Sequence, residues 1–300
     1  MQTQGQCIVC ASPSRRTLET QAFKDDYLEL IDPEYQREPR QWVVCEGCGF
    51  VYHDPRIDDR DIAVLYERFR DVSFRSESPD AYFDRITTLP HSQSENFAKV
   101  SWIRDRLSEL VRRGGSLLDI GCGGGVFIHT FLAHFPQWTA AGVEPTPAFA
   151  ELASRRLAQP VVAGSYRSKL FAPRRFDLIT VNQVLEHVVD PVAFLADVRG
   201  DLADGGCVYL EVPDVLDLAF LEPTHDRFQM QHLWYFSEKS LTNVCRRAGY
   251  AVTALARQVT VRQKRNLVVV LEADGAGAAH DGELLRDDVD SLVSLRSRAL

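Results

Sequence analysis

No stretch of the 300-residue chain approaches the roughly 18 consecutive apolar residues that a membrane-spanning helix requires. The N-terminus lacks the succession of basic, apolar and small residues that marks a secretory signal, so a cytoplasmic location and no membrane partner are expected. A basic stripe is missing too. Lys and Arg number 34 against 42 Asp and Glu, a formal net charge of −8, which disfavours nucleic acid as a partner. In a reducing compartment the 7 cysteines do not read as a disulfide framework. What is left is a mildly acidic chain long enough for one large domain or two modest ones, with ample core.

The stretch that organises the chain is Leu117-Leu118-Asp119-Ile120-Gly121-Cys122-Gly123-Gly124-Gly125-Val126-Phe127. An apolar run that ends in an acid and a glycine cluster, then continues at helical spacing, predicts a strand, a tight turn and a helix N-terminus. Gly121, Gly123 and Gly125 let a ligand reach the backbone without side chains in the way. A dinucleotide fingerprint needs a small residue where Val126 stands, and Asp119 would repel a pyrophosphate. Asp119 suits a cationic ligand instead.

From residue 116 onward strands and helices alternate, as a parallel α/β sheet requires. The second strand, 139–143, ends at Glu144, about 20 residues past the glycines, where a carboxylate can receive both ribose hydroxyls. Pro145 opens the loop into the next helix, and the third strand, 161–163, ends at Gly164-Ser165. The fourth, 176–182, ends at Asn182-Gln183, on the crevice side of an open α/β sheet. Glu186 and His187 follow; they orient a ligand, or they are a helix-start pair satisfied locally. A fifth strand, 208–214, leads into a polar and aromatic loop from Glu222 through His225, Gln231, His232 and Tyr235 to Ser237, which caps a helix through Arg247. Loops of this length and composition usually carry function. Two closing strands, 252–261 and 266–272, and a charged tail helix complete the chain.

At the other end, Cys7-Ile8-Val9-Cys10 is answered by Cys45-Glu46-Gly47-Cys48. Two such knuckles offer four thiolates, the ligand set of a closed structural zinc site, with a rubredoxin-like iron site as the alternative. The stretch between them has too few apolar residues to fold on its own core, so a metal would supply the missing stability. Residues 56–112 read as largely helical, with an Ile62, Leu65, Tyr66, Phe69 stripe and a helix opened by Ser94-Glu95.

The acid-x-Gly-x-Gly-x-Gly pattern at Asp119 to Gly125, with Glu144 and the 176–191 segment, resembles the class I S-adenosylmethionine-dependent methyltransferases. The resemblance implies a doubly wound, Rossmann-like, mostly parallel seven-stranded α/β sheet. It implies donor contacts at Asp119, Gly121, Cys122, Gly123, Glu144, Pro145, Ser165, Asn182, Gln183 and His187. Ser165 departs from the family, which often places Asp there for the adenine amino group. Family members lay helices over the cleft where Tyr66, Tyr82 and His91 stand, though packing also explains these three. The cysteine knuckles, helical cover and core together resemble a zinc-containing subgroup that includes nucleotide-sugar C-methyltransferases. Division into a zinc module (1–55), a helical cover (56–112), a methyltransferase core (113–273) and a tail (274–300) follows. That subgroup carries an active-site Glu-His pair before an aromatic-Phe-Ser stretch. Here the positions read Gln231-His232, then Tyr235-Phe236-Ser237. The missing glutamate, with the subgroup's extra C-terminal domain also lacking, shifts the expectation from carbon to O-methylation of a sugar-like small molecule. His232 is the expected base, titrating near the ordinary histidine value of about 6.5, with His187, Tyr235 and His225 as further catalytic candidates. A donor-binding partner protein without chemistry and a nicotinamide-dependent oxidoreductase are the other classes left open.

Overall fold

The computed structural model describes residues 5–20, 25, 27, 31–32, 35, 40–68, 77–222, 225–274 and 283–297. Three strands come first: β1 (Arg15–Thr20), β2 (Gln41–Cys45) and β3 (Val51–Asp54). Four helices follow: α1 (Asp59–Arg68), α2 (Pro79–Thr87), α3 (Glu95–Arg106) and α4 (Ser108–Arg113). The alternating core runs β4 (Ser116–Ile120), α5 (Val126–His134), β5 (Thr139–Glu144), α6 (Pro147–Leu157), β6 (Val161–Ala163), β7 (Phe176–Asn182), α7 (Pro191–Gly200) and β8 (Leu202–Pro213). After a long loop come β9 (Trp234–Tyr235), α8 (Glu238–Arg247), β10 (Tyr250–Val259), β11 (Arg265–Ala273) and α9 (Val289–Ser297).

The large sheet has the order β10-β11-β8-β7-β4-β5-β6, parallel throughout except that β11 pairs antiparallel with both neighbours. Its central strands bury both faces, which is why they read as continuous apolar runs. Period-two alternation sends Leu118, Ile179 and Leu210 to one face, among Leu195 of α7 and Leu241 of α8. Leu117, Leu178 and Tyr209 go to the other, among Val100 of α3 and Phe131 of α5. Helix starts follow the local chemistry: the Ser94 and Ser237 hydroxyls accept from Phe97 N and Ser240 N. Chain order departs on opposite sides of β4, to β5 and to β7, and this reversal opens the crevice at the strands' carboxyl ends.

A second, antiparallel sheet has the order β1-β2-β3-β9. Its last strand, Trp234–Tyr235, comes from the loop beyond β8, so the N-terminal unit is not closed at residue 55. The stretch between the knuckles thus shares its core with residues from far along the chain, among them Trp234 and Phe236. Trp42, Val43, Val44, Phe50, Val51 and Tyr52 are all buried, and Phe50 stacks on Trp234 with ring centroids 5.4 Å apart. The tail also docks: Leu292 of α9 packs with Trp42, Val215 and Leu218. Among the described residues no helix is long and apolar enough to cross a membrane.

Candidate functional site

A cleft of about 980 Å³ lies at the carboxyl ends of β4, β5, β7 and β8, the size range of small-molecule sites. One wall is built by the glycine turn. Gly121 N and Cys122 N both donate to Val143 O at 2.8 and 3.0 Å, which ties the turn to β5. Gly121 has φ +74°, and a Cβ there would meet Val184 Cγ2 at 2.5 Å, so this position admits only glycine. Glu144, at the end of β5, accepts Gly123 N at 2.9 Å through one oxygen and Thr146 N at 3.0 Å through the other. Its carboxylate is thus held in one orientation on the cleft wall, beside Pro145 and Ser165. The wall from β5, residues 165–167 and α7 carries Glu144, Asp190 and Asp197 against Arg167.

Across the cleft stand His187, from the 3₁₀ turn after β7, and His232, from the loop before β9. Their rings are perpendicular, with centroids 4.7 Å apart. His187 Nδ1–H donates to the Gln231 carbonyl at 2.6 Å, which leaves Nε2 as the ring's acceptor, and the Tyr66 ring meets the imidazole edge-on at 5.7 Å. Directly behind lies Glu186, fully buried, with Oε1 3.7 Å from His187 Nε2. Burial pushes the Glu186 carboxyl up to about 8. Burial, with the positive charge of nearby groups, holds His232 well below 6.5. This corrects the expected near-ordinary titration: the residue is only 9% exposed, and a buried imidazole resists protonation. The floor is a polar network in which Glu211 receives Lys99 Nζ at 3.0 Å, Asn266 Nδ2 at 2.6 Å and the Tyr209 hydroxyl at 2.9 Å.

The methyltransferase-domain family model matches residues 92–255, more than half of the chain and the segment that holds the glycine turn, Glu144, His187 and His232. The chain belongs to the methyltransferase-domain family. It is 28% identical over 156 residues to a ubiquinone biosynthesis O-methyltransferase of Methylobacterium nodulans, covering 50% of this chain and 62% of that protein. To a trans-aconitate 2-methyltransferase of Methylobacterium radiotolerans it is 34% identical over 108 residues, covering 36% and 40%. The matched region therefore spans between two fifths and two thirds of these relatives' own lengths. Among solved structures, the 1,6-didemethyltoxoflavin-N1-methyltransferase of Burkholderia thailandensis, with bound S-adenosylhomocysteine, superposes with a TM-score of 0.52 at 19% identity, covering 77% of this chain and 97% of that one. A methyltransferase from Clostridium acetobutylicum gives 0.50 at 12%, covering 65% and 99%. These likenesses show the Rossmann-like methyltransferase fold.

Within this methyltransferase fold, Gly121, Glu144, Pro145, Ser165, Gln183, His187 and His232 line the cleft. Asp119, Cys122, Gly123 and Asn182 are not among the lining residues. Asp119 is buried, and its Oδ1 accepts the Thr180 hydroxyl at 2.7 Å and Asn182 Nδ2 at 3.2 Å, so it braces β4 against β7. Burial raises its carboxyl to about 7. Gly123 contributes its N–H to Glu144. Tyr235 and His225 are corrections. The Tyr235 hydroxyl accepts from Trp42 Nε1 at 2.8 Å inside the second sheet's core, and His225 Nδ1 accepts from Arg227 N at 3.2 Å. Neither lines the cleft. Of the cover residues, Tyr66 reaches it, whereas Tyr82 packs on Phe149 and His91 stacks on Phe97.

Lys99, Arg227, Asn266 and the hairpin residues Arg262 and Lys264 also line the cleft, from segments whose sequence marked only helix, loop, strand or turn, and so does Glu211 of the fifth strand. The spacing of Glu95 and Lys99, one helical turn apart, was the available signal for two of the wall's charges. At the other end of the chain, Cys7 Sγ lies 3.7 Å from Cys48 Sγ and Cys10 Sγ 3.4 Å from Cys45 Sγ, with all four sulfurs within 4.8 Å of one another.

Proposed function

We propose that the protein transfers a methyl group from S-adenosylmethionine to an oxygen of a small, polar, sugar-like acceptor. The observation that carries this reading is Glu144: a carboxylate held by two backbone N–H groups at the end of β5, with its remaining lone pairs available to a ribose diol. The donor fits the residues present. Gly121 keeps the wall open to a close approach, Pro145 and Ser165 flank Glu144, and the acidic wall complements a cation. When bound, S-adenosylmethionine supplies an electrophilic methyl group that needs no further activation. The protein's task is then to place the acceptor's oxygen and let its proton leave.

We assign the acceptor to the wall formed by His187, His232, Lys99, Glu211 and Asn266, whose polar lining suits a polyoxygenated molecule. His232 is positioned to take the acceptor's proton, but its burial makes it a weak base unless an opposite charge stands beside it. Gln231 in place of a glutamate argues for O-methylation over nucleotide-sugar C-methylation, and the relatives named as O-methyltransferases support the same choice. The four cysteines fit structural zinc. Bonds of about 2.3 Å in a tetrahedron put sulfurs roughly 3.8 Å apart, close to the 3.4 and 3.7 Å separations here. Four thiolates leave no open position, so this site holds structure and does no chemistry.

The test has two stages. Calorimetric titration should show S-adenosylhomocysteine binding and no NAD binding. Labelled methyl from S-adenosylmethionine should then enter one member of a panel of nucleotide sugars, saccharide intermediates, catechols and tricarboxylates. NAD binding without S-adenosylhomocysteine binding overturns the donor; donor binding with no acceptor turnover across the panel favours a partner protein without chemistry.

A further inference from the structure

We propose that Glu186, His187 and His232 bind one divalent first-row transition-metal ion at the acceptor end of the cleft. One ligating atom from each residue lies within 4.8 Å of the other two. Neighbouring ligands of an ion with bonds of about 2.1 Å stand roughly 3.0–3.4 Å apart, so the three side chains must draw in on binding by about an ångström.

Three observations single this cluster out. First, Glu186 is fully buried, yet among the described residues neither of its carboxylate oxygens has a hydrogen-bond partner. His232 Nδ1 is buried and unpartnered in the same way. Unsatisfied buried polar atoms on two residues of one such cluster are a costly arrangement that a cation would relieve. Second, His187 donates its Nδ1–H to the Gln231 carbonyl at 2.6 Å. This is the outer-shell bond that fixes the tautomer and ring of a metal-ligating histidine, leaving the Nε2 lone pair facing Glu186 at 3.7 Å. Third, His187 and His232 both lie on the cleft wall, so an ion between them and Glu186 could be reached from the cleft and keep positions open to a ligand there.

The donor set names the class of ion. Two imidazole nitrogens and one carboxylate oxygen suit Mn²⁺, Fe²⁺, Co²⁺ or Zn²⁺, whereas Ca²⁺ prefers an all-oxygen shell. The four-cysteine cluster, with its soft all-sulfur set, is a separate site of different preference. Filling the new site takes up the lone pair of His232, so that in the loaded protein the histidine holds the ion and the acceptor's proton leaves by another route. An acceptor hydroxyl that joins the ion loses its proton to solvent more readily, and the oxygen lone pair then forms the C–O bond as the donor's C–S bond breaks. That consequence rests on the methyl-transfer reading, but the binding does not.

The test therefore measures the metal and not turnover. Elemental analysis of the purified full chain, followed by titration with MnCl₂ read from the electron paramagnetic resonance signal of free Mn²⁺, counts the ions bound. The wild type should hold one equivalent beyond that of the cysteine cluster. Glu186→Gln, which keeps the shape and removes the charge, should weaken that equivalent at least tenfold, and so should His232→Ala. Both should keep wild-type S-adenosylhomocysteine affinity, which shows that they fold. Should Glu186→Gln not fold, Glu186→Asp and His232→Gln replace it in the same titration. No additional equivalent in the wild type at about 1 mM added Mn²⁺ or Zn²⁺, or wild-type affinity in the Glu186 and His232 variants, overturns the site.

Discussion

Replacing Glu144 tests the donor pocket most directly, because its geometry makes two different substitutions converge. Each carboxylate oxygen already accepts one backbone N–H, from Gly123 at 2.9 Å and from Thr146 at 3.0 Å. Alanine removes the acceptors offered to the ribose. Hydrogen bonds to a charged group contribute about 1.5–3 kcal/mol net, so donor affinity should fall by that amount, about 13- to 160-fold. Glutamine looks conservative but is not. Whichever way its amide is turned, the NH₂ must face a backbone N–H, setting donor against donor, while one of the two acceptor oxygens is gone. Glu144→Gln should therefore lose affinity in the same range as Glu144→Ala. A residue needed only for polarity or volume would tolerate glutamine.

The assay is calorimetric titration of S-adenosylhomocysteine into wild type and both variants, with circular dichroism to confirm the fold. Wild-type affinity in both folded variants would refute the pocket. Loss in Glu144→Ala with retention in Glu144→Gln would refute the argument from the two N–H bonds.

Three other outcomes follow from the same structure. Purified protein should carry about one zinc per chain in the cysteine cluster, and Cys45→Ser should lower both that content and the thermal midpoint; elemental analysis and melting curves check it. Asp119 has a carboxyl raised from its ordinary value to about 7 by burial, so its protonated form favours the fold: the contribution is fully present below about pH 4 and is lost as pH rises to about 7. Asp119→Asn, which cannot ionise, should flatten that decline, and melting curves from pH 5 to pH 8 with an unchanged slope would contradict it. His232→Ala should lower turnover on the true acceptor by on the order of 10²–10⁴ with little change in donor affinity; wild-type turnover would make His232 a packing residue.

The cleft wall that we assign to the donor was legible in the sequence as a place in the fold, because it is local. The glycine turn, Glu144, Pro145 and Ser165 each sit at a strand end, and strand ends can be read from period and punctuation. The acceptor half was not, because it is assembled from distant segments. Lys99 comes from a cover helix, Asn266 and Arg262 from the closing hairpin, and they meet only through the register of β11 on β8, where Asn266 stands opposite Pro213. The aromatic-Phe-Ser stretch misled for a related reason. Its composition resembled an active-site loop, yet Tyr235 alternates away from the cleft once Trp234–Tyr235 becomes a strand of the second sheet. Glu186 was visible as a residue, but its meaning depends on burial, which no local pattern reports.

The two sheets are joined at one functional place. The loop that carries Gln231 and His232 is anchored by groups from the N-terminal unit: Asp25 accepts Met230 N at 2.7 Å while paired with Arg40 at 2.9 Å, both side chains buried. Beyond His232, His53 N donates to the Leu233 carbonyl at 3.1 Å, the Arg56 guanidinium lies over the Trp234 ring at 4.2 Å, and Trp234–Tyr235 pairs with β3. The donor wall is built differently, from bonds among Gly121, Gly123, Val143, Glu144 and Thr146. Loosening the cysteine cluster should therefore disturb the acceptor loop before the donor pocket. In a folded Cys45→Ser protein at a temperature well below its midpoint, acceptor KM should rise more than the Kd for S-adenosylhomocysteine. Equal changes in both would mean that the unit stabilises the whole chain evenly, and a change in donor affinity alone would refute the coupling through the 229–235 loop.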